Sequence, residues 1–339
     1  MGVNLRPVLQ PKILRLDDLR GRSFAVDGNN VLYQFLALIR RPDGTHLTDR
    51  EGQVTSHLVG LFYRTTRLIS DYTMELAFVF DGRPSERKRA ELRHRRQARE
   101  KAEEEYKEAV AREDYAAAWS KAVTSTRLTR AMIADAQRLL TLLGIPWIQA
   151  PSEGEAQAAH LCSQGDVWAT STRDYDALLY GTPRLLRYLT ISGREFLPSR
   201  RTTRPLEPEL LEADSVLGKL DLTRPQLIDL ALLVGTDYNP GVHGVGPKTA
   251  LSLVRDHGRI EDMPPEITAA LPSDYDEIRT LFLDPPVEVE YDVRQGPVDS
   301  EGVVAFLCDE KDFARERVAQ VLERLTQRSR QPSLETFDG

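Results

Sequence analysis

Carboxylates follow the short apolar runs of this sequence at the points where predicted strands end. Between these runs lie longer segments of helical period, such as 54–72 and 129–144. Strand–helix–strand alternation predicts an α/β layer with a largely parallel sheet, because crossover helices join parallel strands. The apolar runs predicted as strands are 23–26, 76–80, 145–148, 167–170 and 185–190.

The acidic residues after these runs are expected to meet at one edge of the sheet. Functional groups in open α/β sheets gather beyond the carboxyl ends of the strands. An Asp-Gly pair after a strand is often only a turn, but turn chemistry does not require Glu-x-Glu and Asp-x-Asp as well. The candidates are Asp27, Asp81, Glu153, Glu155, Asp174 and Asp176, with Asp237 as a seventh from a helical region.

Seven converging carboxylates either take up protons or bind cations. Carboxylate oxygens without a Cys or His cluster suit a hard cation, here Mg²⁺ with Mn²⁺ as a substitute. Two such ions would clamp a phosphodiester and stabilise the leaving oxygen during hydrolysis. The two cysteines, Cys162 and Cys308, lie far apart and suggest neither a disulfide framework nor a zinc site.

Residues 83–101 form a basic segment within an acidic protein. Nine of them are Lys or Arg and three are Asp or Glu, whereas the whole chain carries a net charge of −7. Pro84 and Ser85 predict a helix start, and helical spacing places Lys88, Arg95 and Arg99 on one face. Such a run is usually a solvated helix. Because it begins two residues after Asp81, it is expected to overhang the acidic site instead.

A glycine-rich turn at 241–246 precedes a predicted helix that begins at Pro247. Backbone N–H groups and the helix dipole at such a turn suit a phosphate, and Lys248 adds charge. The alternative is a helix–turn–helix packing element. The polar tail at 329–339 is expected to be disordered when free.

Neither a membrane span nor a signal peptide is predicted. No apolar run approaches the ~20 residues that a span needs, and the N-terminal residues lack an apolar stretch. We therefore expect an intracellular, cytoplasmic protein.

Longer motifs resemble the structure-specific flap endonucleases of archaea and eukaryotes, within the XPG/RAD family of 5′-nucleases. The resemblance runs along almost the whole chain and implies a PIN-like, mostly parallel sheet flanked by helices, with a helical arch and a C-terminal helix–two-turn–helix module. It also implies a 5′ flap endonuclease and 5′–3′ exonuclease in Okazaki-fragment maturation and long-patch base excision repair. The motifs are "VDGNNVLYQFL", "EGQVTSHLVGLFYRT", "FVFDGRP", "LLGIPWIQAPSEGEAQAA", "TRDYDALLYG" and "LLVGTDYNPGVHGVGPKTA".

The resemblance assigns roles to individual residues. All seven acids match the metal-binding positions of the family. Lys88 and Arg95 match the arch residues that contact the scissile phosphate, and Tyr33 matches the aromatic that stacks on the terminal base, although a core aromatic is the alternative. The glycine-rich turn can hold a potassium ion, and Thr55, Lys311 and Arg317 match a 3′-flap site, where the alternative is ordinary surface residues. The implied DNA-binding residues are Gly2, Thr55, Arg64, Arg67, Arg99, Gly244, Gly246, Lys248, Lys311 and Arg317.

The tail resembles a peptide that binds the sliding clamp PCNA through Gln331, Leu334 and Phe337. Asp338 stands where family tails carry a second aromatic, so weaker clamp binding is expected.

The chain is expected to act as a monomer. The implied regions are an N-terminal nuclease region (1–100), an arch (83–130), an internal nuclease region (120–260) with the helix–two-turn–helix module (221–260), a C-terminal helical part (261–328) and the tail (329–339).

Two other functions remain open at this point. A small-molecule phosphatase could use the Asp-x-Asp pair Asp174 and Asp176 with an aspartyl nucleophile, but it leaves the basic segment unexplained. A DNA-junction or clamp-binding adaptor would explain the basic segment, the turn and the tail. It gives no reason for an intact set of seven acids.

Overall fold

A seven-stranded sheet forms the centre of the protein. A computed structural model describes residues 2–41, 43–112, 114, 121–122, 125–191, 193–197 and 202–329. The strand order is β1-β9-β6-β5-β2-β3-β4, and a separate hairpin pairs β7 with β8. The strands are β1 (Lys12–Ile13), β2 (Ser23–Asp27), β3 (Glu75–Phe80), β4 (Trp147–Gln149), β5 (Ala169–Ser171), β6 (Arg184–Arg187), β7 (Gly193–Leu197), β8 (Thr202–Leu206) and β9 (Glu209–Glu212).

The five strands predicted from the sequence are present as β2 to β6, and all pair in parallel. At one side of the sheet, β9 pairs antiparallel with β6 and with the edge strand β1. The prediction for the last of the five was too long, because β6 ends at Arg187 and the next residue, Tyr188, takes a positive φ of 65°. Such a φ is incompatible with a continuing strand.

Helices cover both faces of the sheet. The helices of more than four residues are α1 (Gly28–Leu38), α2 (Ser56–Tyr72), α3 (Arg89–Ala111), α4 (Arg130–Leu142), α5 (Gly154–Gln164), α7 (Ala213–Leu220), α8 (Arg224–Val234), α9 (Pro247–His257), α11 (Tyr275–Leu283), α12 (Ser300–Val304) and α13 (Arg315–Ser329). Two single turns, α6 (Asp176–Leu179) and α10 (Pro265–Thr268), complete the set among the described residues, and Ala305–Glu310 is π-helical. Within the described residues, no helix is both long and apolar enough to cross a bilayer.

Alternate residues of the central strands enter different cores. Phe24 and Phe78 pack with α1, α2 and α13 on one face, whereas Ala25 and Val79 pack with α5 on the other. Burial on both faces explains why these strands are continuous apolar runs rather than alternating ones. The sheet therefore forms a rigid support whose carboxyl edge is free to carry functional groups.

The C-terminal helices form a separate apolar cluster beside the sheet. Helices α8, α9 and α11 pack around buried residues such as Leu230 and Phe282. Thr223 begins α8 with a capping box to Gln226, and Pro247 is the first residue of α9, as predicted. An extended segment, 284–299, then returns to the end of α4, where the Gly296 N–H donates to the Gly144 carbonyl at 2.7 Å.

Candidate metal and DNA site

Four of the predicted acids lie at strand ends or helix starts, at the carboxyl edge of the sheet. Asp27 ends β2 and caps α1 by accepting a hydrogen bond from the Asn30 N–H at 2.9 Å. Asp81 directly follows β3. Glu153 is the N-cap residue of α5 and Glu155 lies in its first turn, where the helix dipole favours negative charge. The Gly154 N–H of that turn donates to Asp81 at 2.8 Å, which joins the two elements.

The other three acids complete the same cluster. Asp174 follows β5, and Asp176 begins α6 and is buried. The Val3 N–H donates to the Asp176 carboxylate at 2.7 Å. A Cβ at the adjacent Gly2 would overlap that carboxylate, so the N-terminal segment packs directly against the site. Asp237 is buried in the turn after α8, and its charge acts on Asp81 and Asp176.

Neutral side chains that the sequence reasoning missed hold these carboxylates together. The Thr172 hydroxyl is 3.1 Å from both Asp27 Oδ2 and Glu155 Oε1, and Asn30 Nδ2 donates to Asp174 at 3.1 Å. Thr172 could have been singled out from the sequence, because its hydroxyl stands between a predicted strand and the Asp-x-Asp pair. No local pattern distinguishes Asn30, because its partner is 144 positions away in the sequence.

The electrostatics of the cluster disfavour seven charges without a cation. Burial and then the charge of Asp81 raise the pKa of Asp27 to about 8. Burial and then Asp237 raise the pKa of Asp176 to about 7. Burial and the charge of Asp174 also raise the pKa of Glu155 well above its usual range. Carboxylates crowded in this way gain stability when cations neutralise them.

Lys88 supplies one positive charge within the cluster. Its Nζ pairs closely with Glu153 and lies 3.1 Å from Asp237 Oδ2. Although burial opposes its charged form, Glu153 and Asp237 raise the pKa of Lys88 above its ordinary value. The prediction of a shared helix face was wrong for this residue. Ser85 begins a 3₁₀ turn at Glu86–Lys88, α3 starts only at Arg89, and Lys88 is therefore aimed by the turn rather than by helical period.

The donor set fits a hard divalent cation in its chemistry, since the acids supply oxygen ligands at one place. Within the described residues, however, no three His, Cys, Asp or Glu side chains stand close enough to hold a metal ion as they are. Lys88 Nζ lies between Glu153 and Asp237 instead. Binding a cation would therefore require side-chain rotation around it.

The predicted arch begins beside this cluster. Helix α3 leaves the sheet edge after Lys88, and Arg99 lies on it, partly exposed. Arg95 falls within α3, but its side chain is outside the described part of the structure. The half-buried Tyr33 on α1 donates its hydroxyl to the Thr126 carbonyl, on the segment that returns from the arch. Tyr33 therefore contacts the arch rather than only the core.

The glycine-rich turn leaves open space beside two of its glycines. Gly244 has a φ of +80°, and no atom lies within 4 Å of the point that a Cβ would occupy there. Gly246 is the N-cap of α9 with the same open space. Lys248 is exposed in the first turn of α9. The first N–H groups of a helix have no acceptor within it, so this end of α9 suits an anion.

The predicted 3′-flap residues lie around the start of α2 and the end of the π-helical stretch. Thr55 is the N-cap of α2 and is buried, so the alternative of an ordinary surface residue is wrong for it. Lys311 Nζ pairs with Asp135 at 2.6 Å and is mostly buried, whereas Arg317 is exposed.

Two other predicted DNA contacts lie farther along α2. Arg64 donates to the Thr190 carbonyl at 3.4 Å, and Arg67 pairs with Asp71 at 3.6 Å near the C-terminal end of the helix. Both side chains already have protein partners. The tail residues Gln331, Leu334 and Phe337 lie outside the described residues.

Family models match much of the chain. The XPG N-terminal domain matches residues 1–102, and the XPG I-region matches residues 144–237. Among curated relatives, flap endonuclease 1 of Pyrococcus horikoshii is 47% identical and covers 99% of this chain and 98% of its own length. Flap endonuclease 1 of Pyrobaculum neutrophilum is 49% identical and covers 96% and 94%.

Solved structures agree with these sequence matches. Flap endonuclease-1 from Methanococcus jannaschii superposes with a TM-score of 0.77 at 40% identity, and covers 96% of this chain and 98% of that one. The catalytic core of Rad2 in complex with a DNA substrate superposes with a TM-score of 0.70 at 24% identity, and covers 95% and 97%. At that lower identity the likeness concerns the fold alone.

Proposed function

This chain belongs to the flap endonuclease family of XPG nucleases, and on that premise we propose how it cuts DNA. It is a structure-specific flap endonuclease that hydrolyses DNA phosphodiesters, with a 5′–3′ exonuclease activity at the same site. Its role is the removal of 5′ flaps in Okazaki-fragment maturation and long-patch base excision repair. The observation that carries this proposal is the meeting of seven carboxylates and Lys88 at one sheet edge, at the base of a long helix.

The seven acids would hold two Mg²⁺ ions, with Mn²⁺ as a substitute. Bound there, such ions supply the Lewis-acid charge that activates water and stabilises the leaving oxygen. Thr172 and Asn30 orient the carboxylates, since neutral partners in the outer shell fix the position of metal ligands. Gly2 and Val3 lie against one side of the site, beside Asp176.

Lys88 and Arg95 would bind the scissile phosphate and stabilise the charge that develops on it during hydrolysis. Lys88 already lies between two of the acids, so it needs only a short movement to reach a phosphate placed there. Tyr33 would stack on the base next to the cleavage point. Arg99 would add charge along the arch.

The rest of the DNA would be held by its backbone and shape. The turn with Gly244, Gly246 and Lys248 would bind a phosphate of the downstream duplex and a K⁺ ion. Gly2, Arg64 and Arg67 would add contacts near the site and along α2, and Thr55, Lys311 and Arg317 would receive a 3′ flap. The tail would bind the sliding clamp through Gln331, Leu334 and Phe337, and the protein would act as a monomer inside the cell.

The regions of the chain divide this work as the sequence implies. Residues 1–100 and 120–260 supply the acids, 83–130 form the arch, 261–328 support the helix–two-turn–helix module at 221–260, and 329–339 carry the clamp motif.

The decisive experiment is cleavage of a double-flap DNA, labelled at its 5′ end, with Mg²⁺ and then with EDTA. We expect a Mg²⁺-dependent product cut one nucleotide into the downstream duplex. Asp81→Ala and Asp176→Ala should bind the same junction and fail to cut it. A tight gel shift without cleavage by the wild-type protein would favour a junction-binding adaptor, and a covalent aspartyl-phosphate with activity on p-nitrophenyl phosphate would favour a phosphatase.

A further inference from the structure

Tyr238 joins three parts of the molecule that the proposed reaction brings together. It follows Asp237 in the turn after α8, and its partly buried side chain lies against the acid cluster, Lys88 and the C-terminal helices. Its sequence neighbourhood gave no reason to single it out.

The turn that carries Tyr238 is held rigidly. The Thr236 N–H donates to the Asn239 carbonyl at 2.9 Å, and the Tyr238 N–H donates to the Thr236 hydroxyl at 3.1 Å. The buried Asn239 side chain donates to the Leu232 carbonyl at 2.7 Å, which ties the turn to the end of α8. A turn fixed at both ends fixes the direction of the side chains that it presents.

The Tyr238 hydroxyl lies against a second tyrosine. It is 3.0 Å from the hydroxyl of the buried Tyr180, which lies at the end of α6. This hydrogen bond helps to fix the place of the Tyr238 side chain.

The Tyr238 ring forms one side of the place where the Lys88 ammonium lies. Lys88 Nζ is 5.4 Å from the ring centroid, with Glu153 and Asp237 on its other sides. Phe282 of α11 packs against the ring at 5.5 Å and 77°. A desolvated cation over a tyrosine face is attracted to it, so the ring holds the ammonium without neutralising it.

We propose that Tyr238 is a positioning residue for cleavage: its ring holds the Lys88 ammonium in place beside Glu153 and Asp237. This inference rests on the role proposed above for Lys88. It adds that the turn carrying Asp237 also sets the place of the arch lysine. Through Phe282, the C-terminal helices support the ring.

Two substitutions distinguish the contribution of the Tyr238 ring from that of its hydroxyl. Tyr238→Leu removes the ring, whereas Tyr238→Phe keeps it and removes only the hydroxyl. Tyr180→Phe keeps Tyr238 intact and removes the partner of its hydroxyl. Tyr291→Phe is the matched control, because it removes a hydroxyl that bonds the remote surface residue Asp166 at 2.6 Å.

The contact between the Tyr238 ring and Lys88 is tested without metal or DNA. The rate at which the Lys88 amine is labelled is followed by mass spectrometry, with exposed Lys248 as the internal reference. Tyr238→Leu is expected to raise the labelling rate of Lys88 roughly five- to thirty-fold. Tyr238→Phe should leave it within about twofold, since the face of the ring remains. Unchanged labelling in a folded Tyr238→Leu protein would overturn the role of the ring. Because the labelling rate is measured without cleavage, failure of this prediction can be distinguished from failure of the proposed nuclease activity.

The effect on cleavage is measured by the single-turnover rate at saturating Mg²⁺. Tyr238→Leu should lower this rate roughly tenfold with junction affinity unchanged, because Lys88 is no longer held in place. Tyr238→Phe, Tyr180→Phe and Tyr291→Phe keep the ring of residue 238 and should stay within about threefold of wild type. An unchanged rate in a folded Tyr238→Leu protein would overturn the positioning role. Tyr238→Met keeps the apolar volume without the aromatic face, and it decides the question if Tyr238→Leu does not fold.

Discussion

At the scale of single residues, the acid cluster lowers the stability of the metal-free protein. Asp27 and Asp176 are buried beside other carboxylates, and their raised pKa values mean that ionising them costs more in the folded state than in the unfolded one. The folded chain then binds more protons, so the stability that is present below pH 4 is lost as the pH rises toward 7 or 8. The cluster is thus held together for its chemistry and not for stability.

Removing one of these charges should therefore stabilise the apo protein. In EDTA at pH 8, Asp176→Asn should raise the free energy of unfolding by an amount on the order of a few kcal/mol, since one pKa unit is worth about 1.4 kcal/mol. At pH 5 the gain should be much smaller. Denaturant titration at both pH values measures this, and the exposed Asp262→Asn is the control. A loss of stability at pH 8 would contradict the electrostatic account.

At the scale of elements, a guanidinium in the segment that follows α1 bonds the end of the predicted arch region. Arg40 donates to the Gly44 carbonyl at 2.7 Å, to the Ala122 carbonyl at 2.8 Å and to the Thr126 hydroxyl at 2.6 Å. Ala122 and Thr126 belong to the segment that returns from the arch, next to the Tyr33 contact. Hydrogen bonds from charged donors are each worth about 1.5–3 kcal/mol, so Arg40 fixes that segment.

Arg40→Met should loosen this return segment. Hydrogen exchange of the Ser125 and Thr126 amides should speed up about tenfold or more, because the charged hydrogen bonds that hold the segment are lost. Exchange in α5 should not change. The neighbouring Arg41→Met, at an exposed side chain, is the matched control. Equal protection in both variants would show that Arg40 does not anchor the arch.

The start of α2 carries a buried histidine. His57 is fully buried, and neither ring nitrogen has a hydrogen-bond partner among the described residues. Burial, followed by the charges of Lys311 and His46, lowers the pKa of His57 to about 3. Burial and Arg40 lower the pKa of His46 to about 4. Both groups therefore contribute stability above pH 6.5 that is lost as the pH falls toward those values.

Acid should thus destabilise this region, and His57→Leu should reduce the effect. Between pH 6.5 and 4.5 a histidine with so low a pKa costs about 2–3 kcal/mol of unfolding free energy. His57→Leu should lower the loss over that range by this amount. Denaturant midpoints at pH 6.5, 5.5 and 4.5 measure it, and His243→Leu, at an exposed side chain, is the control. Parallel pH curves for wild type and His57→Leu would refute the assignment.

At the scale of the whole molecule, the sign of the total charge does not describe every part of the surface. The net charge is −7, yet α3 and the first turn of α9 carry exposed cations. DNA held through its phosphates releases counterions, so junction affinity should fall steeply with salt.

Lys248→Ala should reduce the slope of log affinity against log salt by about one. It should weaken binding similarly for different sequences, because a phosphate contact reads no base. Lys219→Ala is the matched control, since Lys219 lies beside Arg255 at the other end of α9. Filter binding or anisotropy in Ca²⁺ from 50 to 200 mM salt gives both slopes, and equal slopes would exclude Lys248 from the interface.

Much of the site follows from the sequence alone. Buried parallel strands are continuous apolar runs, and their carboxyl ends meet at one edge, so the positions of Asp27, Asp81 and Asp174 could be predicted from local pattern. The start of α9 at Pro247 and the start of α5 after Glu153 are likewise local, because caps and glycine turns act over a few residues.

Tertiary structure alone decided how these pieces meet. Lys88 contacts Asp237, 149 positions away in the chain. The direction of its side chain depends on a 3₁₀ turn, whereas the helical period had predicted a position on the helix. Asn30, Thr172 and Tyr238 acquire their partners only when the sheet, α5 and the C-terminal helices pack together. Local pattern specifies where an element ends, whereas side-chain contacts between distant elements depend on packing of the whole chain. The carboxylates could therefore be predicted from the sequence, and the groups that hold them could not.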